Sequence, residues 1–358
     1  MIFTKKSAIE VKFNWLFVLL IGGVLLYFVF SVISSQTEST QLEIESTIRM
    51  NLDTVLQQAA QTPGTTFTVQ LRNARFTSSD SCADSFYLND DRNMRIEMEA
   101  VFSPKQMDSV RGEFILWVLP WDMPFRITNF VYLTSPDIVY LLVHEGNEPS
   151  KSFTKEINHS RNYLSLPDSL TKLVLDDSDL ENRLDDLKNL ITRVVYIKED
   201  CDVEFPENAN SAICIEVKEE SDYGGLNGWG KVKYLDPDNN NNHKETSFLG
   251  RPSLFGAIFS EDIIQFDCSM QKAYIRMKNL LEVYEYRSSN LSENSFENNQ
   301  DCRSLHSGAQ GMLSLMINAI NNDEDYLERK LFDNALNGVT SLRGRNQESK
   351  LRSCVYIY

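Results

Sequence analysis

The chain is poor in several residue types that whole classes of protein require. Only 15 glycines and 10 prolines occur among 358 residues, which excludes collagen-like and low-complexity chains and predicts a globular fold. Basic residues are outnumbered, 35 Lys and Arg against 51 Asp and Glu. The resulting net charge of −16 would repel a phosphate backbone over most of the surface, so nucleic acid is not an expected partner.

Recognisable catalytic and cofactor motifs are also missing. His144-Glu145 ends an apolar run but lacks the second histidine of a zinc-protease helix, and no G-x-S-x-G elbow is present. The acidic loop that starts at Asp236 has Asn241 and Ser247 where a calcium loop needs glycine and glutamate. The sequence therefore predicts no catalytic residues, no metal and no cofactor. The abundant Asp and Glu leave a carboxylate-based hydrolase as an alternative.

One long apolar run indicates where the protein is located. Residues 13–33, FNWLFVLLIGGVLLYFVFSVI, carry no charge, and a helix of this length spans a hydrocarbon layer of about 30 Å. Lys5, Lys6 and Lys12 precede the run, whereas the next basic residue after it is Arg49. We therefore expect a cytoplasmic segment over 1–12, a transmembrane helix over 13–34 and an extracellular remainder. A cleaved secretory signal is the alternative, although its apolar core is usually shorter, about 7–15 residues.

The segment after the apolar run predicts a helical stalk over 35–62. Its apolar residues recur mostly at helical spacing until Pro63-Gly64: Leu42, Ile48, Leu52, Val55 and Ala59. The expected partners are the lipid bilayer and other proteins that pack against the stalk or the transmembrane helix.

The first residues resemble a known archaeal signal. Lys5 and Lys6, then Ser7-Ala8-Ile9 and Glu10 ahead of an apolar helix, are similar to the class III signal of archaeal type IV pilin-like proteins. In that family a peptidase cuts ahead of the glutamate, which then helps to register helices in a filament. The resemblance implies processing near Lys5 and Lys6 and an assembly role for Glu10. The whole chain also resembles single-span archaeal surface proteins with a cysteine-containing α/β outer domain.

All six cysteines fall in the predicted outer part: Cys82, Cys201, Cys214, Cys268, Cys302 and Cys354. An even number of cysteines outside the cytosol predicts disulfides. Metal binding is the alternative, but it is disfavoured because there is no C-x-x-C pair and no histidine at ligand spacing.

The pairing of the cysteines is predicted from their neighbouring segments. Cys201 and Cys214 flank a short loop between two strand-like runs, and a hairpin would bring them together. Cys302 opens a helix and Cys354 follows a returning helix, so both are expected at the same end of an antiparallel pair. Cys82 then pairs with Cys268 by elimination.

Apolar periodicity predicts an α/β, or α+β, outer domain over 63–267. Nearly continuous apolar runs at 114–120, 127–133 and 137–143 are typical of buried strands in an α/β sheet. The acidic run from Asp176 to Asp179 predicts the start of a helix that leads into a strand at 194–198, which forms a βαβ unit. A helical region over 268–358 is expected to pack on this domain.

Two asparagines and a group of aromatic residues are further candidates for a role outside the core. Asn158 and Asn290 begin N-x-S tripeptides and are glycosylation candidates if this part of the chain is extracellular. Trp117, Trp121 and Phe125 are expected in the core, with a binding groove as the alternative.

The function predicted from these features is that of a membrane-anchored, surface-exposed protein with an interaction or assembly role. An extracytoplasmic hydrolase and a pilin-like filament subunit are the alternatives.

Overall fold

The chain divides into two units, Met1–Val55 and Leu56–Tyr358. The computed structural model describes residues 19–24, 26–27, 62, 64–70, 75–78, 86–88, 91–96, 100–108, 113–159, 165–217, 228–238, 243–293, 299–321 and 329–358. In the first unit, residues 19–24 and 26–27 are helical, and most of their side chains are exposed. The predicted cytoplasmic segment lies outside the described residues. The same is true of the rest of the predicted transmembrane helix and of the stalk except Thr62. Within the described ranges, no helix is long and apolar enough to cross a membrane.

In the described part of the second unit, nine strands come first, strands and helices then follow in a mixed order, and the carboxyl-terminal part is helical. Its strands are β1 (Thr66–Gln70), β2 (Arg75–Ser78), β3 (Phe86–Leu88), β4 (Asp91–Ile96), β5 (Val101–Phe102), β6 (Gln106–Asp108), β7 (Glu113–Asp122), β8 (Arg126–Thr134), β9 (Ile138–His144), β10 (Thr171–Asp176), β11 (Ile191–Lys198), β12 (Ser211–Glu216), β13 (Trp229–Tyr234) and β14 (Lys244–Leu249). Its helices are α1 (Glu148–Asn158), α2 (Leu180–Leu187), α3 (Arg251–Phe259), α4 (Ile263–Glu293), α5 (Gln300–Asn321) and α6 (Arg329–Leu351).

The described strands form three sheets. The first sheet has the order β1-β7-β8-β5, the small sheet β4-β3-β2-β6, and the main sheet β10-β9-β11-β12-β13-β14. In the main sheet, β10, β9, β11 and β12 are parallel, and β13 and β14 continue it antiparallel. The predicted mixed α/β content is confirmed.

The three apolar runs form β7, β8 and β9, as predicted. All seven residues of β9 are buried, which is the habit of a central parallel strand. In contrast, β7 and β8 pair antiparallel in the first sheet and are not central strands of the parallel sheet. Their continuous apolar character has a different cause, because helices α3 and α4 cover β8.

The predicted hairpin between the strands flanking Cys201 and Cys214 is wrong, because β11 and β12 are parallel. The segment 199–210 crosses back so that β12 starts at the same end of the sheet as β11. The disulfide ties this crossover to β12, and both sulfur-bearing residues are buried with Val194 and Leu184 in the core on the α2 side.

Helix α3 forms the centre of the second unit, and all nine of its residues are buried. On one side, Phe255 contacts Trp117 of the first sheet with ring centroids 5.0 Å apart. One helical turn further on, Phe259 lies 5.2 Å from Tyr132 of the first sheet and 5.5 Å from Tyr140 of the main sheet, so it contacts both sheets. The predicted core role of Trp117 is therefore observed, and Trp121 and Phe125 are buried too.

The buried Arg193 joins the main sheet to the end of α3. It donates to the carbonyl oxygens of Ala257 and Ser260 at the carboxyl end of the helix, and to Ser211 Oγ at 3.0 Å. A cation at this position is favourable because the last helical carbonyls carry partial negative charge. This contact explains how a guanidinium with only 2% exposure is stabilised.

The carboxyl-terminal helices begin earlier than predicted, because α4 starts at Ile263 and already contains Cys268. Helices α5 and α6 are joined by the Cys302–Cys354 disulfide, as predicted. Residues 354–358 form neither helix nor strand. Two contacts hold these residues in place. The Ile357 N–H donates to Asn346 Oδ1 at 2.9 Å, and the Tyr358 ring lies 5.4 Å from the Phe125 ring.

Candidate functional site

The order of the parallel strands creates a topological switch point at their carboxyl ends. From β9 the chain passes through α1 to β10 on one side, and from β10 through α2 to β11 on the other side of β9. The connections that follow the neighbouring strands β9 and β11 therefore lead towards opposite edges of the sheet. In open α/β sheets, ligands bind at such a topological switch point, outside the carboxyl ends of the strands.

The connection from β9 to α1 is a tight turn with polar groups. His144 is the last residue of β9, only 9% exposed, and its Nδ1 accepts the Gly146 N–H at 3.1 Å. Gly146 has a φ of +83°, a conformation that favours glycine. Asn147 then caps α1, and its Oδ1 accepts the Ser150 N–H at 3.1 Å. Ser150 Oγ donates to the carbonyl oxygen of Ile197 at 2.5 Å, which fixes the turn to β11.

The ends of β10 and β11 bring further charged groups to this turn. Asp176 Oδ2 lies 3.9 Å from His144 Nδ1, which is too long for a hydrogen bond. Lys198 Nζ donates to Asp177 Oδ2 at 2.7 Å, and the Lys198 side chain is only 10% exposed. Burial, and then the nearby Asp177 carboxylate, raise the pKa of Tyr196, whose ring lies 5.2 Å from the Lys198 ammonium.

Two exposed carboxylates meet on one amide beside this cluster. Asn147 Nδ2 donates to Glu145 Oε2 at 3.0 Å and to Glu199 Oε1 at 3.1 Å. The Glu199 N–H also approaches Glu145 Oε2 at 3.4 Å. The amide therefore holds the two carboxylates together against their mutual repulsion.

We call the surface formed by Glu145, Asp176, Asp177 and Glu199 the acidic edge. Lys198 neutralises one of its four carboxylates, so an excess of negative charge remains. Carboxylate oxygens are acceptors only, so this surface suits a ligand that brings hydrogen-bond donors and positive charge. Within the described ranges, no group of three or more His, Cys, Asp or Glu residues is arranged to hold a metal ion.

Part of this site was missed in the sequence. The sequence predicts Asp176 and Asp177 only as the start of a helix, and Lys198 only as the end of a strand. The signal is present, since β9, β10 and β11 each end at a polar residue that another polar residue follows: His144-Glu145, Asp176-Asp177 and Lys198-Glu199. His144 was recognised as a strand end, and the structure brings it to Asp176.

The predicted cysteine sites are largely accounted for. Cys201 pairs with Cys214 and Cys302 with Cys354, with Cα–Cα distances of 5.7 and 5.6 Å. Cys268 is also disulfide-bonded, and Cys82 lies outside the described residues.

The other predicted sites lie away from the acidic edge or outside the described residues. Asn158 is the last residue of α1, and its Oδ1 is buried without a hydrogen-bond partner among the described groups. Asn290 lies within α4, whereas a glycosylated asparagine is expected in a surface loop. Lys5, Lys6 and Glu10 lie outside the described residues.

Comparison with known proteins adds no family to this description. No protein-family model, curated protein or solved structure matches the chain.

Proposed function

We propose that the chain is a membrane-anchored, extracellular protein whose outer domain binds a positively charged partner through the acidic edge. The anchor is the apolar segment 13–34, and the residues before it are cytoplasmic. The observation that supports the binding role most directly is the meeting of Glu145 and Glu199 on the Asn147 amide at the strand switch point.

The extracellular location is supported by two independent features. Residues 13–33 carry no charge and follow three lysines, which is typical of a spanning helix with a cytoplasmic start. The second unit contains disulfides, including Cys201–Cys214 and Cys302–Cys354. Disulfides persist in oxidising compartments and are rare in the cytosol.

A binding role agrees with how the polar groups of the switch point are engaged. His144 Nδ1 accepts the Gly146 N–H, so this atom is engaged in holding the turn. The Ser150 hydroxyl is buried and bonded to Ile197, so it is not placed to act as a nucleophile. Lys198 is paired with Asp177. These contacts make a rigid polar surface that is suited to recognition.

The proposed topology is tested by proteolysis of intact cells. We expect added protease to remove the second unit from intact cells while a cytoplasmic control protein survives. If the second unit is degraded only after lysis, the topology is wrong. N-terminal sequencing of the purified protein separates the retained anchor from the alternatives. A start near Gln36 indicates a cleaved signal, and a start at Lys6 or Ser7 supports the pilin-like alternative.

The proposed binding role is tested with a fluorescent lysine peptide as the probe. Glu145→Gln with Glu199→Gln keeps the size of both side chains but removes two charges from the acidic edge. We expect binding to weaken about fivefold, the effect of losing two exposed ion pairs. The matched control is Glu204→Gln with Glu207→Gln, two exposed residues on the 199–210 crossover. Equal weakening in both variants would show that only net charge matters and would overturn the acidic edge as the site.

A further inference from the structure

Strand β10 forms one outer edge of the main sheet. It pairs with β9 on one side over its whole length, from Thr171 beside Val139 to Asp176 beside His144. On its other side, no main-chain group in the described part of the chain is hydrogen-bonded to it. The outward N–H and C=O groups of β10 are therefore available to another strand.

The opposite edge of the same sheet is covered. In β14, Thr246 to Leu249 are buried, and Thr246 Oγ1 donates to Asp267 of α4 at 2.9 Å. Trp121 of the first sheet donates to the Leu249 carbonyl oxygen at 2.9 Å. In contrast, Val174 in the middle of β10 is 41% exposed. The fold therefore protects one edge and leaves the other open.

Strand β10 also lacks the features that usually protect an open edge. Natural edge strands are protected by lysine, proline or bulges. No proline lies in β10. Its one lysine, Lys172, does not protect the open edge, because its side chain is bound elsewhere. Its ammonium donates to the carbonyl oxygens of Leu166 at 2.7 Å and Asn158 at 3.2 Å, and its side chain is only 11% exposed.

We infer that the partner binds by adding an extended segment as a new strand beside β10. This inference rests on the proposed function, because the carboxyl end of β10 is Asp176, a member of the acidic edge. At the other end, Asp168 is 91% exposed. The three central residues of the strand, Leu173 to Leu175, are aliphatic. The complementary segment is therefore a strand of alternating apolar and polar β-branched residues, with Lys or Arg at both ends.

A second copy of the chain fits this edge less well. Antiparallel pairing of two β10 strands about their midpoint would bring Asp168 of one copy towards the Asp176–Asp179 run of the other. Like charges would then meet at both ends of the new pair, in chains that each carry a net charge of −16. The charge pattern favours a basic partner segment.

The test uses the full chain in detergent and a synthetic peptide of alternating valine and threonine with two lysines at each end. We expect bound peptide to slow hydrogen exchange of the outward amides of β10 at least about tenfold, because they become hydrogen-bonded. A peptide of the same charge with N-methylated valines lacks the main-chain donors. We expect it to bind at least about tenfold more weakly.

The variant Val174→Lys places a protecting charge on the open edge, and Val283→Lys is its control on α4, where Val283 is 61% exposed. We expect only the first to weaken peptide binding. Equal binding of both peptides, without β10 protection, would overturn strand addition but keep the acidic edge. Failure of both lysine-ended peptides to bind would overturn the proposed function as well. A dimer that Val174→Lys dissociates would show that the occupant is a second copy and would overturn the inferred partner.

Discussion

Gly256 marks the closest approach between α3 and the first sheet. A Cβ atom at this position would lie 2.7 Å from Cε1 of Phe102. The Phe102 ring is fully buried and packed against Phe130 and Tyr132 at centroid distances of 5.0 and 5.7 Å, so it has no free direction in which to move. The absence of a side chain at Gly256 is what allows α3 to fit between the two sheets.

We expect Gly256→Ala to lower the free energy of unfolding by about 1–3 kcal/mol, the usual cost of overpacking a core. Urea denaturation of the full chain in detergent measures this change. The matched control is Gly311→Ala in α5, where a Cβ would meet nothing within 4 Å. There alanine should stabilise by up to about 1 kcal/mol through its higher helix propensity. Destabilisation of similar size in both variants would contradict the packing argument.

Residue types alone indicated only part of the candidate site. Apolar runs place His144 and Lys198 at strand ends, whereas Asp176 is predicted only as the start of a helix. That these three strand ends lie side by side depends on the order β10-β9-β11, and a local pattern does not encode strand order. The prediction of Cys201–Cys214 was right although its reason was wrong, since a parallel crossover brings the two cysteines together as well as a hairpin does.

At the scale of elements, the Cys302–Cys354 disulfide closes α5 and α6 into a loop with a sequence separation of 52 residues. In the chain-entropy model, a loop of this length contributes about 4 kcal/mol. The Cys201–Cys214 disulfide has a sequence separation of 13, and the same model gives it about 3 kcal/mol.

We therefore expect Cys302→Ala with Cys354→Ala to lower the free energy of unfolding by about 4 kcal/mol. Cys201→Ala with Cys214→Ala is the comparison and should cost about 1 kcal/mol less from chain entropy. Urea denaturation with and without reducing agent measures both. After reduction, the free energies of unfolding of the wild type and of the Cys302/Cys354 variant should differ by far less than they do under oxidising conditions. An unchanged difference would mean that lost packing, and not the closed loop, stabilises the helix pair.

At the scale of the whole molecule, buried tyrosines set an upper pH limit to stability. Burial raises the pKa of four fully buried tyrosines: Tyr132, Tyr140, Tyr234 and Tyr274. For Tyr140, burial raises the pKa from 10.0 to about 12. Above about pH 10, these side chains ionise in the unfolded chain but stay protonated in the folded one, so the folded state binds more protons.

The contribution of Tyr140 to stability is therefore complete below about pH 10 and is lost as the pH rises towards about 12. Each such tyrosine lowers the free energy of unfolding by up to about 1.4 kcal/mol per pH unit in this range. Tyrosinate absorbance and denaturation, recorded together from pH 9 to 12, should show the buried tyrosines ionising with unfolding. Tyr140→Phe should flatten the pH dependence, whereas Tyr286→Phe, at a tyrosine that is 73% exposed, should leave it unchanged.

The local features of this protein follow from its sequence alone. Apolar runs specified β7, β8 and β9, amphipathic stripes specified the carboxyl-terminal helices, and helix positions were enough to pair Cys302 with Cys354. These features depend on near neighbours in the chain, which periodicity reports directly. Three other features are visible only in the folded chain. Strand β12 runs parallel to β11, helix α3 lies buried between two sheets, and β10 is an unpaired outer strand whose carboxyl end belongs to the acidic edge. These arrangements depend on which segments, distant in sequence, pack together and exclude water. A local sequence pattern does not specify that packing.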